Sequence, residues 1–315
     1  MPATDKPDAM RVRTEDALKH MLTCDEAGRG ATVDSLAGAM AQTQEQAATL
    51  LGHLRARGLA EATGDTHNLS EGGRTYALQV VRTHRIYETW LARETGLPAE
   101  NWHGVAHKAE HRLSREDVDA MADKLGNPRY DPHGDPIPTR EGQMPRRALT
   151  ALTSWTGASA AVIEHIEDEP ASLFRQAIDL GMAPGTRLDG ISQLPDGAVG
   201  LSREGEQIRL PAPVAALIHV RAVDPDALAE AAVARLSSLA IGGESLVIGL
   251  APSCIGAERR RLLDLGVVPG TRIRCEFASP FGTPRSYTIR GAMIALRDSQ
   301  ADRVLIHPPE VLSPQ

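Results

Sequence analysis

Apolar residues at Ala17, Leu18, Met21 and Leu22 recur at helical spacing, which predicts a helix over residues 14–24. Residues 1–12 are polar and are expected to be loose. A short helix over 32–40 and a break at Ala41-Gln42-Thr43 lead into a third helix over 44–57. That helix has Ala47, Leu50, Leu51 and Leu54 on one side. Thr43 with Gln46 three residues on reads as a capping box, and Gly58 stops the helix. Residues 59–69, interrupted by Gly64-Asp65, predict two short strands around a turn. A long helix over 72–94 follows, then a break at Pro98 and a helix from about residue 99. One more helix is opened by Ser114, with Asp117 three residues on, and closed by Gly126-Asn127-Pro128. Residues 131–138, Asp-Pro-His-Gly-Asp-Pro-Ile-Pro, form a rigid connector, and 139–150 read as a linker.

Beyond residue 150 the pattern changes to short alternating strands with frequent Gly and Pro, and it repeats. Residues 179–187 return as 264–272, identical except that Met182-Ala183 becomes Val267-Val268. The units close alike, on Leu217-Ile218-His219 and Leu305-Ile306-His307. A short helix ending in Leu-Gly, a Pro-Gly turn and then strands predicts a small β-barrel for each copy. Duplicated packing modules without chemistry are the alternative reading, favoured for the second copy.

The helix from about residue 99 carries the densest candidate chemistry. At about 100° per residue, His103, His107, Glu110 and His111 fall within an arc of roughly 100°. His84 and Glu88 lie one helical turn apart on the preceding helix. Imidazoles and carboxylates on one face form a ligand set for a borderline divalent metal such as Zn²⁺, Fe²⁺ or Mn²⁺. The alternative is a solvated polar face with histidines scattered along it. Their concentration, in a chain of 11 histidines, favours the metal set.

At 315 residues the chain is long enough for several domains. Aromatics are only 3%, so its cores must be built mainly from Ala, Leu, Val and Ile. Cys24, Cys254 and Cys275 lie far apart, without metal-type spacing, and suit a reducing cytoplasm. The first 13 residues lack the apolar core of a secretory signal. No run reaches the roughly 18 apolar residues that a membrane helix needs, so a cytoplasmic protein with no membrane partner is expected.

Helix, helix, turn, helix and hairpin is the order of a winged helix-turn-helix, with 44–57 as the candidate recognition helix. A generic three-helix bundle for protein contacts has the same order. The net charge of −7 argues against general polyanion binding, although a local patch can dominate. Residues 1–75 hold eight basic and eleven acidic side chains, a balance of −3, and the wing has no Lys or Arg. Phosphate attraction is correspondingly weak.

Taken together these residues resemble the diphtheria toxin repressor and manganese transport regulator family of metal-dependent transcription factors. The most specific segments are Thr14-Glu15-Asp16, the Thr-His-Arg helix around His84, residues 107–114 (His-Lys-Ala-Glu-His-Arg-Leu-Ser) and the 131–138 connector. The two C-terminal repeats resemble SH3-like domains of the FeoA type, a module associated with ferrous iron; family members with a third domain usually carry one. The resemblance implies a multidomain α+β chain: a winged helix-turn-helix over 1–75, an all-α metal-binding and dimerisation domain over 76–140, and SH3-like barrels over 150–224 and 235–310. It implies a primary metal site of Asp16, His107, Glu110 and His111. In the family the first of these positions is Met or Asp and the second Cys or Glu. His107 departs from that pattern, leaving a nitrogen-rich set that shifts metal preference. An ancillary site would use His84, Glu88 and His103, joined by Glu164 and Glu167 from the first SH3-like domain. The position of Glu167 is often an amide in relatives. Without the resemblance, residues 164–169 read as a solvated acidic run.

The resemblance thus implies a homodimer activated by Fe²⁺ or Mn²⁺, with Zn²⁺ also admissible, at about two ions per protomer. It would bind palindromic operator DNA, with Thr43, Gln44, Gln46 and Thr49 as groove contacts, and repress metal-uptake genes, with no small-molecule substrate and no catalytic residue. Two other readings remain. His107-x-x-Glu110-His111 formally matches the H-x-x-E-H zinc-peptidase motif. The acidic N-terminal domain with duplicated FeoA-type modules could instead be an iron-transport adaptor that does not bind DNA.

Overall fold

The computed structural model describes residues 8–157, 160–203, 206–223, 234–251, 254 and 256–308. They divide into two compact units, residues up to Trp90 with Asn101–Arg147, and Leu91–Glu100 with residues from Ala148 onward.

In the first unit α1 (Ala9–Glu26), α2 (Val33–Ala39) and α3 (Gln44–Ala56) precede a hairpin of β1 (Ala60–Thr63) and β2 (Thr66–Leu69). The expectation that residues 1–12 are loose is corrected for residues 9–12; residues 1–7 lie outside the described residues. Helix α1 starts at Ala9 because the Asp8 side chain accepts a hydrogen bond from Met10 N at 3.2 Å, satisfying one of the helix's unpaired amides. Leu18, Met21 and Leu22 of α1 pack with Leu36 of α2 and Leu50, Leu51 and Leu54 of α3 in one core. Each such side chain contributes about 1.5–3 kcal/mol when fully buried, enough to hold α1 and α3 as one body.

Helix α4 (Glu71–Glu94) starts hard against the hairpin. A Cβ on Gly73 would lie 1.9 Å from the Leu59 carbonyl oxygen, so only glycine permits this approach. A 3₁₀ turn, Ala99–Asn101, leads into α5 (Trp102–Glu110), and α6 (Arg115–Lys124) follows a capping box at Ser114. Ile86 of α4 packs with Val118 and Ala122 of α6 and with Ile137 of the connector. The connector is pinned from within: Asp131 Oδ1 accepts the amide hydrogens of His133, Gly134 and Asp135, each at 2.9 Å. The 139–149 stretch forms no helix or strand, but Arg147 places its guanidinium 3.8 Å from the centre of the Tyr130 ring.

The second unit contains two six-stranded sheets of the same strand order. The first runs β3-β8-β4-β5-β6-β7, with β3 (Thr150–Ala151), β4 (Ala161–Ile166), β5 (Arg187–Gln193), β6 (Val199–Arg203), β7 (Glu206–Leu210) and β8 (Ile218–Ala222). The second runs β9-β14-β10-β11-β12-β13, with β9 (Ala234–Arg235), β10 (Glu244–Leu250), β11 (Arg272–Ala278), β12 (Arg285–Ile289), β13 (Ala292–Leu296) and β14 (Val304–Ile306). Helices Ala171–Asp179 and Gly256–Asp264 occupy matching places before β5 and β11. Each repeat has its own apolar core, built around Ile163, Ile218 and Val220 in the first and Val247, Val304 and Ile306 in the second.

The hydrogen-bond register corrects one reading of the repeat. Gly185 N donates to Ile163 O and Gly270 N to Val247 O, while Glu167 N donates to Leu217 O and Ala251 N to Arg303 O. Both β4 and β10 bulge just beyond those residues, and the next pairs are His165 with His219 and Gly249 with Leu305. His219 is therefore level with Leu305 and not with His307. The shared Leu-Ile-His triplet is a likeness of letters displaced along the strand.

Candidate metal centre

The arc of His103, His107, Glu110 and His111 does not form a single cluster. Its members divide between two partners, because α5 lies against α4 on one side and α1 on the other. One donor atom from each of Asp16, His107, Glu110 and His111 falls within 4.8 Å of all the others, and the same holds for His84, Glu88 and His103.

In the first group Asp16 comes from α1 and the rest from the last turn of α5 and its C-cap, His111. His107 Nδ1 is 3.2 Å from Glu110 Oε1 and 3.9 Å from Asp16 Oδ1. His111 Nε2 is 3.4 Å from Asp16 Oδ1 and 3.5 Å from Glu110 Oε1. Asp16 Oδ1 and His111 Nε2 are buried and have no well-oriented hydrogen-bond partner, the condition expected of atoms arranged to hold an ion. This donor set of nitrogen and oxygen fits a borderline divalent cation.

Two neighbours that sequence reasoning did not place complete the surroundings. Glu15, buried beside Asp16, accepts a hydrogen bond from His111 Nδ1 at 2.6 Å and one from the Tyr76 hydroxyl at 2.6 Å. That contact turns His111 Nε2 towards Asp16, the usual task of a carboxylate behind a ligand histidine. Lys19, one helical turn after Glu15, donates to both oxygens of Glu110 at 2.9 and 3.0 Å. The only sequence signal for either is helical spacing: positions 15, 16 and 19 of one helix can face the same neighbour.

Burial works against the charged form of His111, but the nearby Asp16 carboxylate, the Glu15 carboxylate hydrogen-bonded to Nδ1 and the neighbouring Glu110 raise its pKa to about 9. Burial likewise opposes ionisation of Glu110, yet His107, His84 and the Lys19 ammonium hold its carboxyl well below the usual range.

In the second group His84 Nε2 is 3.0 Å from Glu88 Oε1, and His103 Nδ1 is 3.5 Å from the same oxygen. The His84 and His103 rings meet edge to face with centroids 4.9 Å apart. His133 of the connector adds a third imidazole, its Nδ1 3.7 Å from Glu88 Oε2. Desolvation opposes the Glu88 charge, but the surrounding His103, His133 and His84 imidazoles lower its pKa. Glu88 Oε1 is buried without a well-oriented partner, again consistent with a cation position. The groups share one contact: His84 Nδ1 lies 2.5 Å from Glu110 Oε2.

Glu164 and Glu167 lie in the second unit. There Glu164 is ion-paired with Arg221 at 3.1 Å. Glu167 Oε1 lies 3.2 Å from His165 Nε2, and that hydrogen bond holds its carboxyl below the usual range. Thr43, Gln44, Gln46 and Thr49 are all exposed on the first turns of α3. Thr43 and Gln46 cap the helix reciprocally, Gln44 donates to Asp34 at 2.7 Å, and the Thr49 hydroxyl donates to the Glu45 carbonyl at 2.8 Å.

Comparison with known proteins gives this geometry a context. Residues 70–139 match the iron dependent repressor metal binding and dimerisation domain, and residues 151–222 and 234–308 each match the FeoA domain. The iron-dependent repressor IdeR of Mycobacterium tuberculosis is 29% identical over 225 residues, spanning 67% of this chain and 97% of the relative. The diphtheria toxin repressor of Corynebacterium diphtheriae is 27% identical over 212 residues, spanning 62% of this chain and 91% of the relative. A solved manganese-dependent transcriptional repressor in complex with manganese superposes with a TM-score of 0.61 at 28% identity, over 67% of this chain and 100% of that one.

Proposed function

The chain belongs to the family of iron- and manganese-dependent repressors, and from that premise we propose that it is a metal-activated, DNA-binding repressor that works as a homodimer. The observation that carries this reading is the meeting of Asp16 from α1 with His107, Glu110 and His111 from α5.

A bound Fe²⁺ or Mn²⁺ would supply the positive charge and coordination bonds that these four side chains share. The rest follows from the chain itself. Asp16 is rigidly continuous with Ala17, Leu18, Met21 and Leu22, and these pack directly against α3. Holding Asp16 against α5 therefore fixes the recognition helix relative to the dimerisation domain. In a dimer this selects the arrangement in which two α3 helices meet successive major-groove faces of a palindromic operator. Thr43, Gln44, Gln46 and Thr49 are the proposed groove contacts. His84, Glu88 and His103 form the ancillary set, and the direct contact of His84 with Glu110 joins its state to that of the primary set. The resemblance also adds Glu164 and Glu167 to the ancillary set.

The peptidase reading loses its general base. Glu110 is fully buried and is held by Lys19 and His84, so it is not free to take a proton from water. Binding of the chain to DNA from its own promoter, measured by fluorescence anisotropy with and without Mn²⁺ or anaerobic Fe²⁺, tests the proposal. Tight binding only with metal supports it; the absence of binding at low salt favours the adaptor reading.

A further inference from the structure

The two FeoA domains share a fold but differ at one place. In β8, Ile218 and Val220 face the core, so the pleat turns His219 to the opposite face. In β4, Ala161 and Ile163 face the core, and strict alternation would send His165 there too. The bulge after Ile163 breaks the alternation: Ile166 pairs with Ile218 in the core, and His165 pairs with His219 on the other face. Glu167 follows directly, its backbone N–H donating to Leu217 O just before β8.

One donor atom each from His165, Glu167 and His219 lies within 4.8 Å of the others, and the two rings have centroids 5.4 Å apart. The second FeoA domain supplies an internal control. Its bulge and hydrogen bonds are the same, yet the matching positions are Gly249, Ala251 and Leu305. The fold thus forms without an imidazole or carboxylate at any of these places.

We propose that His165, Glu167 and His219 form a separate divalent-metal site inside the first FeoA domain. Two imidazoles and one carboxylate favour Zn²⁺, Fe²⁺ or Co²⁺ over Mg²⁺ or Ca²⁺, which prefer all-oxygen sets. Three protein donors leave a coordination position for water or an external ligand. Glu167 is half exposed, so an ion reaches the site from solvent. A metal here ties the end of β4 to β8 and holds Glu167 within its own domain, in place of the ancillary role that the resemblance gives it. This goes beyond the repressor reading and stands independently of DNA binding.

The test counts metal in the full-length protein. Chelator-stripped protein is dialysed against Zn²⁺ and its zinc per protomer measured by atomic emission, for wild type, Glu167→Ala, His219→Gln, the pair combined, and His107→Ala. Glu167→Ala changes an exposed side chain and keeps the fold. The expected result is that each of the first two variants holds one Zn²⁺ fewer than wild type and that the combined variant loses no more. His107→Ala should lose a different ion, so that a further variant combining His107→Ala with His219→Gln, measured alongside, loses both. If His219→Gln holds as much zinc as wild type, or if the Glu167→Ala and His219→Gln losses add, the site does not exist as proposed. The second outcome would place Glu167 with another metal. Loss of metal-dependent DNA binding with this zinc count intact would count against the repressor reading alone.

Discussion

Lys19 Nζ lies 2.9 and 3.0 Å from the two carboxylate oxygens of Glu110, so an ammonium from α1 already neutralises the most buried carboxylate of the primary set. The chain carries its own cation at the point where α1 meets α5. This contact ties α1 to α5 and, on the proposed reading, would compete with an incoming ion.

Replacing Lys19 with Gln should therefore raise the affinity of the primary site for Mn²⁺. The uncompensated Glu110 charge would attract a divalent cation more strongly, with an expected gain of about tenfold in affinity, equivalent to ~1.4 kcal/mol. Calorimetric titration of the metal-free variant checks this. A weaker site would mean that Lys19 supports the ligand geometry and does not compete with the metal.

Glu15→Gln should act in the opposite direction. Glu15 orients His111 through a 2.6 Å hydrogen bond to Nδ1, and loss of such a contact typically costs about 10- to 100-fold in metal affinity. Dimerisation, measured by sedimentation, should not change. Unaltered affinity would show that packing alone sets the ring.

Proton competition gives a pH dependence. The His111 pKa is raised from 6.5 to about 9, so at neutral pH the imidazole is protonated and must lose its proton before Nε2 can bind a metal. Metal affinity should climb as pH rises towards about 9, with proton release on binding. For the metal-free protein the sign is reversed. The favourable contact of His111 with its carboxylates is fully present below pH 6.5 and is lost as pH rises through about 9. Titrations in buffers of different ionisation enthalpy give the proton count directly.

On the DNA side, one pair of substitutions should separate stability from recognition. Thr43→Ala breaks the capping box and should cost about 0.5–2 kcal/mol of stability as well as DNA affinity. Gln44→Ala removes only an exposed hydrogen bond to Asp34 and should weaken DNA binding with the melting temperature nearly unchanged. Equal losses of stability in both would argue that α3 is a packing helix.

Local pattern made most of the first unit legible. Helix spacing, capping boxes at Thr43 and Ser114 and the Gly64-Asp65 turn fall where the elements are, since each is decided within a few residues. The start of α1 was missed because Asp8 caps a stretch with little apolar periodicity. Periodicity put His103 and His107 on one arc, but only packing against α4 and α1 separates them. Glu15 is one charged residue among many until α1 meets α5. The His219 error has a different cause, since a bulge shifts strand register in a way that letter-by-letter matching cannot register.

On the proposed reading, occupancy of the Asp16, His107, Glu110 and His111 set controls DNA binding. The most direct test titrates metal-free wild type and His107→Ala with Mn²⁺ and anaerobic Fe²⁺, alone and with promoter DNA. About two metals per protomer at the primary and ancillary sets, besides the ion proposed for the first FeoA domain, with the primary ion tightened by DNA by the same factor as it tightens DNA binding, is the predicted wild-type result. The variant should remain dimeric and show no such coupling. A His107→Ala protein that still binds its promoter in a metal-dependent way would contradict the assignment.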